Sequence, residues 1–173
     1  DAGAGGHSGR EVIGIRPEVR GLRRRLAGTS LREGGDRRVL VAGRPGSGKS
    51  TLARAITGLL PPSKGDIFFN GKPLPKALAD RDKDTLRRIQ MIYQSADTAL
   101  NPRQKVRDII GRPLEFYLGL TGADRDRRVV ELLESIELNE SYIDRLPGEM
   151  SGGQKQRISI ARALSSNPEF LIC

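Results

Sequence analysis

The run Val39-Leu40-Val41-Ala42-Gly43-Arg44-Pro45-Gly46-Ser47-Gly48-Lys49-Ser50-Thr51 leaves the chain few ways to fold. Its four leading apolar residues suit a short buried parallel strand. The small residues that follow let backbone N–H groups wrap a phosphate chain, while Lys49 supplies a balancing charge and Ser50 an oxygen for Mg²⁺. Leu52, Ala55, Ile56 and Leu59 fall at i, i+3, i+4 and i+7. They predict an amphipathic helix, ended by Gly58 and Pro61-Pro62. Strand, glycine loop and helix in this order aim the loop amides and the positive end of the helix dipole at an anion. A glycine turn that binds nothing has no need of Lys and Ser at these two positions. Pro45 removes one N–H early in the loop, ahead of the part that grips the β- and γ-phosphates, so nucleotide binding is expected to survive it.

A second stretch, Met150-Ser151-Gly152-Gly153-Gln154-Lys155-Gln156-Arg157, opens another helical pattern. Ile158, Ala161 and Leu164 share one face, with Lys155, Arg157 and Arg162 elsewhere. A serine and two glycines at a helix start make an anion site by the same amide and dipole logic; the bland alternative is an ordinary serine N-cap. Between the two stretches, Ile89-Gln90-Met91-Ile92-Tyr93 alternates like a half-buried strand and ends at Gln94.

The glycine loop, which is a P-loop, and the Ser151-Gly152-Gly153-Gln154 run together resemble the ATPase subunits of ABC transporters. The resemblance implies an α/β P-loop NTPase core with a small antiparallel β-subdomain and an inserted α-helical subdomain. It implies ATP and Mg²⁺ as ligands. Gly43, Arg44, Pro45, Gly46, Ser47, Gly48, Lys49, Ser50 and Thr51 would bind the nucleotide, although Arg44 and Pro45 replace residues more usual in close relatives. Lys49 and Gln94 would act in catalysis, and Ser50 and Gln94 would hold Mg²⁺. Ser151, Gly152, Gly153 and Gln154 would close on the ATP of a second ATPase subunit, identical or different. Leu100-Asn101-Pro102-Arg103 and Ile109-Ile110-Gly111-Arg112-Pro113-Leu114 look like segments of the oligopeptide, dipeptide and nickel importer branch. A turn-forming Asn-Pro before a helix start would read in the same way.

On this resemblance the chain serves an importer of peptides or a related solute. It would be peripheral at the cytoplasmic face of the plasma (inner) membrane, with transmembrane permease subunits as partners and, indirectly, a solute-binding protein. The stretch Pro168-Glu169-Phe170-Leu171-Ile172-Cys173 resembles the strand that leads to the family's Mg²⁺-binding Asp and catalytic Glu. Neither carboxylate is in the sequence, nor the downstream His, so the chain is expected to be a truncated ATPase in which turnover belongs to the complete protein. The expected division is a linker over 1–10 and a partial ATPase domain over 11–173. Within the latter, the core occupies 30–95 and 151–173 and the helical subdomain about 96–150.

Composition bounds the alternatives. With 173 residues the chain is one domain long, and one Cys excludes a disulfide framework. It has no apolar run near the roughly 18 residues a membrane span needs. The net charge of +9 raises nucleic acid or anionic lipid as a partner. Nine arginines (Arg10, Arg16, Arg20, Arg23, Arg24, Arg25, Arg32, Arg37 and Arg38) crowd residues 10–38. No aromatic residue is interleaved to stack on bases, so nucleic acid is not expected as a partner and a solvated basic face is. The first aromatic residue is Phe68. The adenine-stacking ring usual in the family, before the P-loop, is therefore absent, and Ile15, Arg16 or Val19 would take its place. Asp1 to Gly9 read as flexible linker, with His7 inert. Two rival readings stay open: a soluble ATPase of this type acting on ribosomes or nucleic acid, and a catalytically silent nucleotide-binding fragment.

The middle of the chain supplies architecture. Asp66 to Phe69 followed by Asn70-Gly71 predict a strand running into a tight turn. From about Pro102 to Leu138 the pattern is helical, with Val129, Leu132, Leu133 and Ile136 as an apolar stripe within Asp124 to Leu138.

Overall fold

A computed structural model describes residues 13–15, 30–34, 38–42 and 44–173. The expected linker with His7, Arg16 and Val19, most of the arginine-rich stretch, and Gly43 lie outside the described residues. The chain forms two compact units, Asp1–Arg81 and Asp82–Cys173.

In the first unit, β1 (Ile13–Ile15) pairs antiparallel with β4 (Ile67–Phe69), which turns back through Asn70-Gly71 into β5 (Lys72–Pro73). The turn residues have φ of 49° and 76°. These values belong to the tight hairpin turn that Asn-Gly favours, so the predicted antiparallel element is present. Ile67 and Phe69 point into the core and Phe68 away from it. A second pair joins β2 (Ser30–Gly34) to β3 (Arg38–Ala42).

The β2–β3 ladder is antiparallel, so the pairing described for Val39 to Ala42 is not itself a parallel one. An apolar run of four residues says nothing about the direction of its neighbour.

Helix α1 (Lys49–Thr57) buries Leu52, Ala55 and Ile56. It stops where Gly58 takes a left-handed φ of 82° and returns its N–H to the Ala55 carbonyl. A Cβ at Gly58 would meet the Leu78 nitrogen at 2.9 Å and the Arg81 guanidinium carbon at 3.0 Å, so the position tolerates only glycine. Leu59, predicted on the buried stripe, lies past this stop and is 46 % exposed. Arg81 closes the helix end: its Nη1 donates to the Ile56 carbonyl at 2.6 Å and its Nε to that of Pro75 at 3.1 Å. A cation there satisfies an orphan carbonyl and opposes the negative end of the dipole. Burial lowers the pKa of this guanidinium from its usual value.

In the second unit, β6 (Ile89–Met91) lies parallel to β7 (Phe170–Ile172), with Ile89 opposite Phe170 and Met91 opposite Ile172. The predicted strand thus ends at Met91, two residues early. Helix α2 (Lys83–Arg88) starts at Asp82, whose carboxylate accepts the Thr85 N–H at 2.6 Å. That bond holds the Asp82 pKa below the usual carboxylate value. From α2, Arg88 grips Glu169 at 2.7 and 2.9 Å, and Arg87 donates to the Asn167 carbonyl at 3.1 Å, which ties β7 to its place beside β6.

The remaining α-helices are α3 (Ala96–Ala99), α4 (Val106–Leu118), α5 (Gly122–Ser135) and α6 (Gly152–Leu164). Their shared core includes Val106, Ile110, Leu114, Val129, Leu133 and Ile158, each fully shielded from solvent. Helix α5 ends at Ser135, so the predicted stripe holds for Val129, Leu132 and Leu133, while Ile136 is a half-buried cap. Leu164, expected on the buried face of α6, is its last residue and 37 % exposed; Ser159 and Ala163 are buried instead. Among the described residues no helix is long and apolar enough to cross a membrane.

Leu133→Ala should cost roughly 2–5 kcal/mol in urea unfolding, because it empties a sealed site. Leu164→Ala should shift the same curve by less than about 1 kcal/mol. Equal losses would contradict this placement of the α6 face.

Candidate functional site

The P-loop is shaped by its own backbone. The Ser47 N–H returns to the Arg44 carbonyl at 3.1 Å, and Gly46 and Gly48 take φ of 78° and 97°, a region closed to most side chains. Gly48 is the N-cap of α1 and offers no side-chain bond to the orphan amides of the first turn. No acidic residue stands in that turn either. Neither the cap nor an acidic residue of the first turn compensates the positive helix end, an arrangement that favours an anion. Lys49 folds back across the loop, its Nζ donating to the Arg44 carbonyl at 3.0 Å and to Ser47 Oγ at 3.4 Å. Arg44, Pro45, Gly46 and Ser50 are exposed, Gly48, Lys49 and Thr51 are half-buried, and Ser47 is buried. The Ser50 hydroxyl suits Mg²⁺, which prefers oxygen ligands and retains several waters.

The second helix start is built differently. Ser151 Oγ accepts the Gln154 N–H at 3.3 Å, and Gln154 Oε1 accepts the Ser151 N–H at 2.9 Å, a reciprocal capping box. Gln154 also donates from Nε2 to Tyr142 Oη at 2.7 Å, and the Arg145 guanidinium stacks 4.1 Å from the Tyr142 ring. The serine is thus a true N-cap, yet the cap leaves the glycines unexplained. A Cβ at Gly152 or Gly153 would meet nothing within 4 Å, and both residues are exposed. Among the described residues, no neighbouring atom requires glycine at either position.

Gln94 stands exposed beyond the end of β6, and among the described residues its side chain makes no hydrogen bond. In the Leu100 to Arg103 segment, Leu100 is a core anchor. Asn101 Oδ1 accepts the Arg103 N–H at 3.0 Å, a turn that gives Asn-Pro a structural purpose. Of the predicted site residues, Arg44 to Thr51 form one continuous loop and helix start in the first unit. Gln94 and Ser151 to Gln154 belong to the second unit. Sequence reasoning missed Tyr142, because nothing local marks a tyrosine twelve residues upstream as the support of Gln154. Among the described residues no cluster of His, Cys, Asp or Glu could hold a metal by itself.

The family model described as ABC transporter matches residues 26–173. The chain belongs to the ABC transporter family. The nickel import ATP-binding protein NikE of Escherichia coli O6:K15:H31 (strain 536 / UPEC) is 43 % identical over 134 residues, 78 % of this chain and 50 % of that protein. NikE of Brucella abortus (strain 2308) is 46 % identical over the same shares. This member of the family therefore spans about 50 % of the length of the curated relatives it matches.

Among solved structures, the dimeric post-hydrolysis state of the ATP-binding cassette MJ0796 bound to ADP and Pi superposes with a TM-score of 0.65 at 24 % identity, covering 92 % of this chain and 72 % of that one. An ATP binding subunit of an ABC transporter gives 0.59 at 29 % identity over 73 % of this chain and 49 % of that one. The expected α/β P-loop cassette fold is the one these structures share with this ABC family member.

Ser151→Ala should lower stability by about 1 kcal/mol, the usual value of an N-cap, and Ser151→Asp should recover most of it. Thermal unfolding checks this; an unchanged midpoint for Ser151→Ala would remove the capping assignment.

Proposed function

We propose that this chain is the nucleotide-binding part of an importer ATPase subunit, which couples ATP binding and hydrolysis to uptake of a solute through partner transmembrane subunits. Lys49 carries this reading: it lies folded over an uncapped, acid-free helix start, where a cation can meet the β- and γ-phosphates. Gly43 to Thr51 would cradle the triphosphate, and Lys49 would stabilise charge on the transferring phosphoryl group. Ser50 and Gln94 would hold Mg²⁺, which supplies charge neutralisation at the phosphates when bound.

The open glycines of α6 support a second role. Gly152 and Gly153, with Ser151 and Gln154, would take the γ-phosphate side of ATP bound to another ATPase subunit, a use that explains why no Cβ fills that space. Pairing on ATP and separation after hydrolysis would then move the permease. The solute would be nickel, a peptide or a related small molecule, a range supported by the NikE relatives and by the Leu100 to Arg103 segment. A peripheral position at the cytoplasmic face of the plasma membrane, served indirectly by a solute-binding protein, goes with this partnership. The helical interval of about 96–150 would be the subdomain that meets the permease, inserted between core segments 30–95 and 151–173.

Lys49→Ala should abolish binding of labelled ATP in titration calorimetry or filter binding; unchanged affinity would end the P-loop assignment. Ser151→Arg should spare ATP binding by the single chain but block ATP-driven pairing on a sizing column. Undiminished pairing would refute the partner role of α6.

A further inference from the structure

Helix α3 (Ala96–Ala99) follows Gln94 by one intervening residue and is too short to hold itself: it closes a single turn, with the Leu100 N–H on the Ala96 carbonyl at 3.2 Å. Two side chains of α6 hold it. Lys155 Nζ donates to Asp97 Oδ1 at 2.7 Å, and Arg162 Nη1 donates to the Ala99 carbonyl at 2.6 Å. Lys155 and Arg162 stand at i and i+7, so they share one stripe of α6, two turns apart. Arg162 is half-buried, and burial lowers its pKa from the usual guanidinium value. The arginine thus surrenders hydration to seal the orphan carbonyl at the end of α3. Lys155 is the residue next to Gln154, so the tie begins at the helix start that carries the open glycines.

We infer that Lys155 and Arg162 are positioning residues that join the Gln94 segment to the Ser151–Gln154 helix start as one body. A displacement of either is thereby carried to the other. The consequence for nucleotide rests on the function proposed above: occupancy of the α6 start by a partner's ATP would be felt at Gln94 through α3. The tie itself is a property of this chain and is testable without nucleotide.

Amide hydrogen exchange of the chain tests both levels. Without nucleotide, Lys155→Ala should speed exchange at Ala99 and Leu100 by about two- to fivefold, the range an ion pair of this exposure supports. Arg162→Lys, which keeps the charge and loses the fork, should speed it by roughly tenfold. The exchanged pair Asp97→Lys with Lys155→Asp should restore slow exchange, a recovery that loss of general stability would not produce. Unchanged exchange in both single variants overturns the inference, and so does a charge exchange that fails to rescue a measurable loss.

With a non-hydrolysable ATP analogue and Mg²⁺, the unsubstituted chain should gain protection at Gly152 to Lys155 and at Ala99 and Leu100 together. Lys155→Ala should keep the first and lose the second. Protection that persists at α3 in Lys155→Ala counts against the tie. Absence of protection at Gly152 to Lys155 in the unsubstituted chain counts against the proposed nucleotide role, while the nucleotide-free measurement still decides the tie.

Discussion

The second unit depends on how α6 treats its two ends and its buried face. Ile158 and Ala161 are fully shielded and close a core shared with α4 and α5. A helix fixed in this way presents its first turn in one orientation, because side chains sealed in a close-packed core cannot shift singly. The capping box of Ser151 and Gln154 then satisfies two terminal amides internally and leaves the glycines beside them open. The core holds the site, and the cap finishes the helix without occupying it.

The same physics is used in opposite ways at the two helix starts. Gly48 gives α1 no side-chain cap, so the first-turn donors and the dipole are offered outward, with Lys49 adding charge. At α6 the cap residue bonds its own helix, and the two glycines after it are exposed. The first arrangement suits a phosphate chain wrapped by one loop. The second suits a group presented from outside, which approaches a closed helix end.

Charged side chains fasten the short elements that propensity alone would not keep. Arg81 holds the end of α1, Arg87 and Arg88 hold β7, and Arg162 with Lys155 holds α3. In each of the three cases a guanidinium reaches backbone carbonyls at the end of an element, where helices and loops leave acceptors unpaired. Several cations of the described residues are thus structural.

Whatever depended on neighbours in sequence was legible there. The P-loop, the cap at Ser151, the Asn70-Gly71 turn, the stop at Gly58 and the apolar stripe of α5 all follow from spacings of a few residues, since turns, caps and helical faces are local. Leu59 and Leu164 misled because periodicity continues on paper past the point where φ turns positive and on to a helix's exposed last residue. The direction of the β3 ladder, the parallel register of β6 and β7, the support of Gln154 by Tyr142 and the ties from α6 to α3 were decided only by tertiary structure. Each joins residues distant in the chain, and no local spacing encodes which distant group will complete a hydrogen bond. The sequence by itself determined where these two helices start and which residues open them; folding decided what holds them still.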